Sequence, residues 1–182
     1  MLKIVFVLGG AKSGKSSFVL EKVAEIKGKK AFIATAEALD DEMKERIKKH
    51  KAERGDEWET CEVPLNVSGA ITDAAGKYSA VVLDCLTIWL SNILIGEADT
   101  QENINKLVDT LIEVKKSPVC ATGSGCSVLY IVSNEVGMGI VPENELAREF
   151  REFAGGLNQK VAKIADEVYL VTAGIPVKIK PN

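Results

Sequence analysis

The chain has 182 residues, with 23 Lys plus Arg against 26 Asp plus Glu, a net charge of −3, 46% hydrophobic residues and one histidine. This balance excludes a disordered chain, a whole-protein basic field for a nucleic-acid backbone and any metal motif needing two histidines. No apolar run approaches the ~18 residues of a membrane span. At this length a single domain, 1–182, is expected, burying roughly 70% of the surface its unfolded chain exposes.

Lys3 followed by Ile4, Val5, Phe6, Val7 and Leu8 imitates a short secretory signal. The run stops at Gly9-Gly10, and Lys12 and Lys15 stand where a small-residue cleavage site belongs. Residues 3–8 therefore read as a strand buried on both faces, and the protein as cytoplasmic. Residues 15–27 carry Phe18, Val19, Val23 and Ile26 at helical spacing. A second strand is expected at 30–35. A helix opens near Asp40-Asp41 and closes near Lys48, Lys49 and Lys51. A short strand spans 59–63 before Pro64, and a helix 66–76 ends at Gly76. Residues 79–84 form a strand closing on an acid, and apolar residues continue through Ile95.

A polar loop near 96–100 precedes a helical pattern over 101–116. The Ser-, Gly- and Cys-rich stretch 117–126 reads as loop and 127–133 as strand. One helix is expected over 142–165, with Pro142 in its first turn and Gly155-Gly156 as a weak point. Strands 167–172 and 175–180 follow, joined by a short turn at Ala173-Gly174. Strands separated by helices predict an α/β fold of the phosphate-loop NTPase type. Its mostly parallel twisted sheet is flanked by helices and ends in an antiparallel edge strand. The four cysteines, Cys61, Cys85, Cys120 and Cys126, show no CxxC spacing. Without an export signal they read as reduced packing or loop residues.

Gly9-Gly10-Ala11-Lys12-Ser13-Gly14-Lys15-Ser16 fits G-x-x-x-x-G-K-[ST] between a buried strand and an amphipathic helix. Glycines let successive N–H groups turn inward on a phosphate, and the helix N-terminus adds its dipole. Lys15 is then expected to reach the outer phosphates and Ser16 to hold Mg²⁺ through its hydroxyl. Asp84 closes the run Val81-Val82-Leu83, the place of a Mg²⁺-organising acid in phosphate-loop proteins. Its alternative reading is an N-cap for residues 85–95.

Between residues 44 and 54 stand Lys44, Arg46, Lys48, Lys49, Lys51 and Arg54, opposed by Glu45 and Glu53. His50 lies three residues beyond Ile47, at the edge of the apolar stripe Leu39, Met43 and Ile47. It reads as a general base, a hydrogen-bond donor to phosphate or a nucleophile at phosphorus. The residues alone favour a surface histidine on a solvated basic helix.

Several segments together resemble the bifunctional adenosylcobinamide kinase / adenosylcobinamide-phosphate guanylyltransferase family. They are 9–16, Ala34-Thr35-Ala36, Leu39 to Met43, Arg46-Ile47, His50-Lys51, Trp58, and above all the run from Ser133 to Asn144. Asp166 to Val171 and Gly174 to Lys178 complete the pattern.

The resemblance implies phosphorylation of adenosylcobinamide by a nucleoside triphosphate (ATP or GTP). It then implies transfer of GMP from GTP to adenosylcobinamide phosphate through a guanylylated His50. It also implies nucleotide contacts from the loop 9–16, from Ala34, Thr35 and Ala36, from Lys51, Ala52, Glu53 and Arg54, and from Glu62 and Asp84. A homotrimer is implied as well. Lys12 stands where the family pattern has arginine, keeping the charge but losing the planar fork.

Other readings remain open on the residues: a plain small-molecule kinase, or a nucleotide-gated binding module. The 133–144 run also reads as a strand end, a glycine turn and a helix start. Asn134 and Glu135 within it are candidates for corrinoid contact or for the kinase step. Trp58 reads equally as a core residue or a nucleobase platform.

Overall fold

The computed structural model describes residues 2–36, 55–117 and 127–180. The expected helix between Asp40 and Lys51, with His50 and residues 51–54, lies outside the described residues, as do Cys120 and Cys126.

The strands are β1 (Lys3–Gly9), β2 (Lys30–Ala34), β3 (Trp58–Glu62), β4 (Ala80–Asp84), β5 (Val128–Asn134), β6 (Glu167–Thr172) and β7 (Ile175–Lys180). They form one sheet in the order β3-β2-β4-β5-β1-β6-β7. All neighbours are parallel except β6 and β7, which pair antiparallel as expected. The described helices are α1 (Lys15–Ala24), α2 (Val67–Ala75), α3 (Leu86–Ile95), α4 (Thr100–Lys116) and α5 (Glu145–Ile164).

Strand periodicity assigns the two cores. Ile4, Phe6 and Leu8 of β1 join Ile33, Leu83 and Ile131 on one face, under α2, α3, α4 and α5. Val5 and Val7 point the other way and pack with Phe32, Val82 and Val132 against Phe18, Val19 and Val23 of α1. A strand covered on both faces must be apolar at every position, which is why residues 4–8 show no alternation.

Helix boundaries follow local chemistry. Asn66, Asp99 and Asn144 cap α2, α4 and α5, accepting from Gly69 N, Glu102 N and Ala147 N. The Asn144 cap sets the start of α5, so the long helix begins at Glu145 and Pro142 stays in the loop before it. The helix runs unbroken through Gly155-Gly156. Helix α1 ends at Ala24, short of the expected residue 27, because the chain must reach Gly28 at φ 103. A Cβ there would lie 2.3 Å from Ser79 Oγ. Trp58 opens β3 at the N-terminal end of the sheet, 6.3 Å from the Phe32 ring and 5.8 Å from Lys30 Nζ. This is packing at the edge opposite the strands' carboxyl ends, so the nucleobase-platform reading does not hold.

The β6–β7 connection is a two-residue hairpin with Ala173 at φ 48 and Gly174 at φ 80. Both central residues at positive φ match the turn whose twist suits antiparallel strands. No described helix is long and apolar enough to cross a membrane.

Glu167 at the start of β6 is nearly buried and accepts from Lys3 Nζ (2.9 Å), Lys178 Nζ (3.0 Å) and Tyr169 Oη (3.0 Å). Burial alone would raise its carboxyl, but these hydrogen bonds outweigh it and bring the pKa down to about 2 from 4.5. A depressed pKa adds stability above the unfolded value that is lost as pH falls. Glu167→Gln should therefore be less stable than the parent at pH 7 in urea unfolding. The gap should persist down to about pH 4.5 and close towards pH 2.

Candidate active site

Strand β1 delivers the phosphate loop to the carboxyl edge of the sheet, between β5 and β6. The loop has no room for side chains at its turns. A Cβ on Gly9 would lie 2.3 Å from Val171 O and 2.6 Å from Ser13 Oγ. Gly14 has φ 100, and a Cβ there would lie 3.1 Å from Gly174 Cα. The β6–β7 turn braces the loop directly, with Gly174 N donating to Ser13 O at 2.9 Å. On the other side Glu135 N donates to Gly9 O at 3.0 Å.

Lys15 is 7% exposed and donates to Gly10 O at 2.6 Å, so its ammonium already faces the inside of the loop. Ser13 Oγ is buried without a hydrogen-bond partner. An orphaned hydroxyl inside a loop of inward amides is what a phosphate oxygen satisfies. Helix α1 begins on Gly14 with no side-chain cap and no acid in its first turn, leaving its N-terminal amides to an anion.

Ser16 Oγ donates to Asp84 Oδ2 at 2.8 Å. This contact joins the first turn of α1 to the end of β4. Asp84 does not cap α3: the cap position is Cys85, without a side-chain hydrogen bond. A hydroxyl and a carboxylate are hard oxygen donors of the kind Mg²⁺ takes beside phosphates. Cys85 is 5% exposed, and burial followed by the adjacent Asp84 charge pushes its thiol up to about 11, so it stays protonated. Burial also raises the Cys61 thiol.

Parallel register places Ala34 beside both Glu62 and Asp84 at one edge of the sheet. Thr35 is fully buried there. Its hydroxyl donates to Cys85 O and accepts from Cys85 N, both at 2.8 Å, and its carbonyl accepts from Asn92 Nδ2 at 2.9 Å. What Thr35 contributes to the site is position, because its hydroxyl and carbonyl are already engaged. A second fastener was invisible in the sequence. Thr87 Oγ1 accepts from Asn134 N at 2.6 Å and lies 3.2 Å from Ser133 Oγ, tying α3 to the end of β5. Isolated Thr, Ser and Asn residues carry no signal until the topology brings them together.

A strand, a cradle of amides, a lysine and a Ser–Asp pair are the parts of a phosphate-loop arrangement, and such an arrangement fits many chemistries. The family profile described as cobinamide kinase / cobinamide phosphate guanyltransferase matches residues 5–179. The chain belongs to that family.

This cobinamide kinase / guanyltransferase relative is 40% identical over 181 residues to the bifunctional adenosylcobalamin biosynthesis protein CobU of Salmonella typhimurium, covering 97% of this chain and 99% of that protein. It is 38% identical to the protein of the same description from Escherichia coli, with the same coverage. It is 36% identical to the bifunctional adenosylcobalamin biosynthesis protein CobP of Pseudomonas aeruginosa, over 96% of this chain and 95% of that one. A structurally studied Pyrococcus horikoshii protein superposes with TM-score 0.53 at 9% identity, covering 98% of this chain and 86% of that chain. That likeness bears on the fold alone. The family is one of enzymes, joining a kinase to a nucleotidyltransferase.

Within this family member the structure brings together residues 9–16, Ala34, Thr35, Ala36, Glu62 and Asp84 at one sheet edge. Lys51, Ala52, Glu53, Arg54 and His50 lie outside the described residues. Thr35→Val should leave the Cys85 N–H and carbonyl without their buried partner, lowering stability by about 1–3 kcal/mol in urea unfolding. Thr35→Ser should recover most of that loss.

Proposed function

We propose that this chain performs two transfers on one phosphate-loop site. In the first, ATP or GTP phosphorylates the aminopropanol hydroxyl of adenosylcobinamide. In the second, GMP passes from GTP to adenosylcobinamide phosphate by way of His50, giving adenosyl-GDP-cobinamide and pyrophosphate. The observation that carries the reading is the Ser16–Asp84 hydrogen bond of 2.8 Å beside the glycine cradle, in a chain of this family.

The residues divide the work. The amides of Gly9, Gly10, Ala11, Lys12, Ser13 and Gly14 with Lys15 grip the triphosphate, and Lys15 offsets charge on the leaving group. Ser16 and Asp84 would hold Mg²⁺, which when bound neutralises phosphate charge. Ala34, Ala36, Lys51, Ala52, Glu53, Arg54 and Glu62 line the rest of the nucleotide, and the fully buried Thr35 positions the edge from behind.

His50 rests on its place in the family pattern. As a neutral imidazole it forms a bond to the α-phosphorus of GTP as the bond to the bridging oxygen breaks and pyrophosphate leaves. A corrinoid phosphate oxygen then takes the GMP and frees the imidazole. The neighbours Lys44, Arg46, Lys48, Lys49, Lys51 and Arg54 offset the negative charge that the imidazole approaches. Assembly as a homotrimer in the cytoplasm belongs to the same proposal. The exposed Ile175, Val177 and Ile179 on one face of the edge strand β7 support assembly, since such a strand is normally covered.

Incubation with Mg²⁺ and GTP labelled at the α-phosphorus, followed by denaturation, should leave acid-labile label on the protein. The label should be absent from His50→Asn. Failure of the wild type to retain label while it transfers γ-phosphate to adenosylcobinamide would reduce the activity to a plain kinase. Failure of both would leave a binding module. Lys15→Ala should weaken triphosphate binding about 10- to 100-fold in equilibrium dialysis, the loss of charge-assisted hydrogen bonds worth about 1.5–3 kcal/mol.

A further inference from the structure

The turn between β5 and α5 contradicts the usual surface pattern. Met138 is 79% exposed, Ile140 95% and Val141 70%. Loops that expose side chains like these are usually polar, and contiguous apolar patches on a surface mark binding sites.

This turn is held by side chains of α5. Arg151 donates to Ile140 O (3.0 Å) and to Gly137 O. Arg148, one turn earlier, donates to Pro142 O (3.1 Å) and to Glu143 O. Glu135 Oε1 accepts from Gly137 N at 2.6 Å. Two guanidinium groups thus fix the carbonyls inward while the aliphatic side chains face out. The loss of freedom that binding would otherwise cost has been met in advance by the fold.

Beside the turn lies an open cavity of about 360 Å³, bordered by Val141, Arg151, Glu152, Gly155, Gly156 and Gln159. A Cβ on Gly155 or Gly156 would meet nothing within 4 Å. Packing within the chain therefore does not require these two glycines, although each weakens a helix interior by about 1 kcal/mol relative to Ala.

Position selects the occupant. The turn leaves the carboxyl end of β5, where open α/β sheets bind ligands. Glu135, its first residue, is hydrogen bonded to Gly9 of the phosphate loop. Met138 stands three positions after Glu135, a span of at most about 11 Å. The acceptor for the phosphate loop must approach from such a distance.

We propose that the turn Glu135–Val141 and the glycine floor of α5 form the corrinoid subsite, seating one edge of the cobinamide macrocycle while its aminopropanol arm reaches the phosphate loop. The inference rests on the function proposed above. A corrinoid edge bears methyl groups and neutral amide arms. Met138, Ile140 and Val141 match the methyl groups, and Gln159 and Glu152 offer partners to the amides. The cavity takes an edge of so large a molecule and not the whole of it. The exposed aliphatic side chains at the tip of the turn match the methyl-bearing part of such an edge, and the polar residues beside the cavity match its amide arms.

The test uses the full chain and adenosylcobinamide, followed by its visible absorption in equilibrium dialysis, with GTP affinity measured in parallel. Met138→Ser/Ile140→Ser alters two exposed side chains. It should raise the corrinoid Kd tenfold or more and leave GTP affinity within twofold. Gly156→Leu fills the cavity from a position with open space, so its thermal midpoint should not fall, and its corrinoid Kd should rise likewise. Corrinoid affinities within twofold of wild type in both variants would overturn the subsite and leave the proposed function standing. A wild type that binds GTP but no corrinoid would overturn both. A double variant that loses its oligomeric state in sedimentation but keeps its corrinoid affinity would assign the patch to a second copy and overturn the inference.

Discussion

The close approach of Gly9 to its neighbours governs the site. Strand β1 ends between two other strands, and the chain must turn there within a space that admits no Cβ, because Val171 O would lie 2.3 Å away. That contact aims the following amides inward. It sets Lys15 and Ser16 at the start of α1 and leaves Ser16 within 2.8 Å of Asp84 two strands away. Nothing about the lysine or the serine would matter if β1 could not stop so abruptly.

The remainder of the carboxyl edge is held by buried hydrogen bonds of single side chains. Thr35 closes both backbone groups of Cys85, and Asn92 spans Thr35 O and Pro64 O. Thr87 reaches Asn134. Each satisfies a backbone group where strands give way to loops and ladder partners run out. The edge at which the phosphate loop opens is thereby held together by side-chain hydrogen bonds.

The parts of this arrangement readable in the sequence were those whose determinants are local. The phosphate loop needs only its own residues and flanking elements, and the apolar runs 4–8 and 81–83 announced buried parallel strands. The hairpin turn at Ala173-Gly174 was legible, but not its place against Ser13, since sheet order depends on which helices cross over which face. The start of α5 was misplaced because proline at 142 is permitted in a first turn, whereas Asn144 actively caps one. Gly155-Gly156 suggested weakness, but packing of the helix on the sheet through Ala154, Leu157 and Val161 outweighs their cost. Asp84 was readable both as a cap and as a metal ligand, and the structure gives the α3 cap position to Cys85. His50 stood out as the only histidine amid concentrated charge, and the family pattern, not its spacing, gave it a role.

The neighbours of β1 have a consequence for biogenesis. Lys3 pairs with Val128, Val5 pairs with Glu167, and Gly174 braces Ser13. The loop is synthesised well before β5 and β6, the strands that wall it. These contacts are of high sequence separation, so loop-closure entropy opposes their early formation. The nascent β1, a run of Ile, Val, Phe, Val and Leu, must wait unpaired while most of the chain is made. During translation the chain thus carries an unpaired apolar strand long before its phosphate loop has both walls.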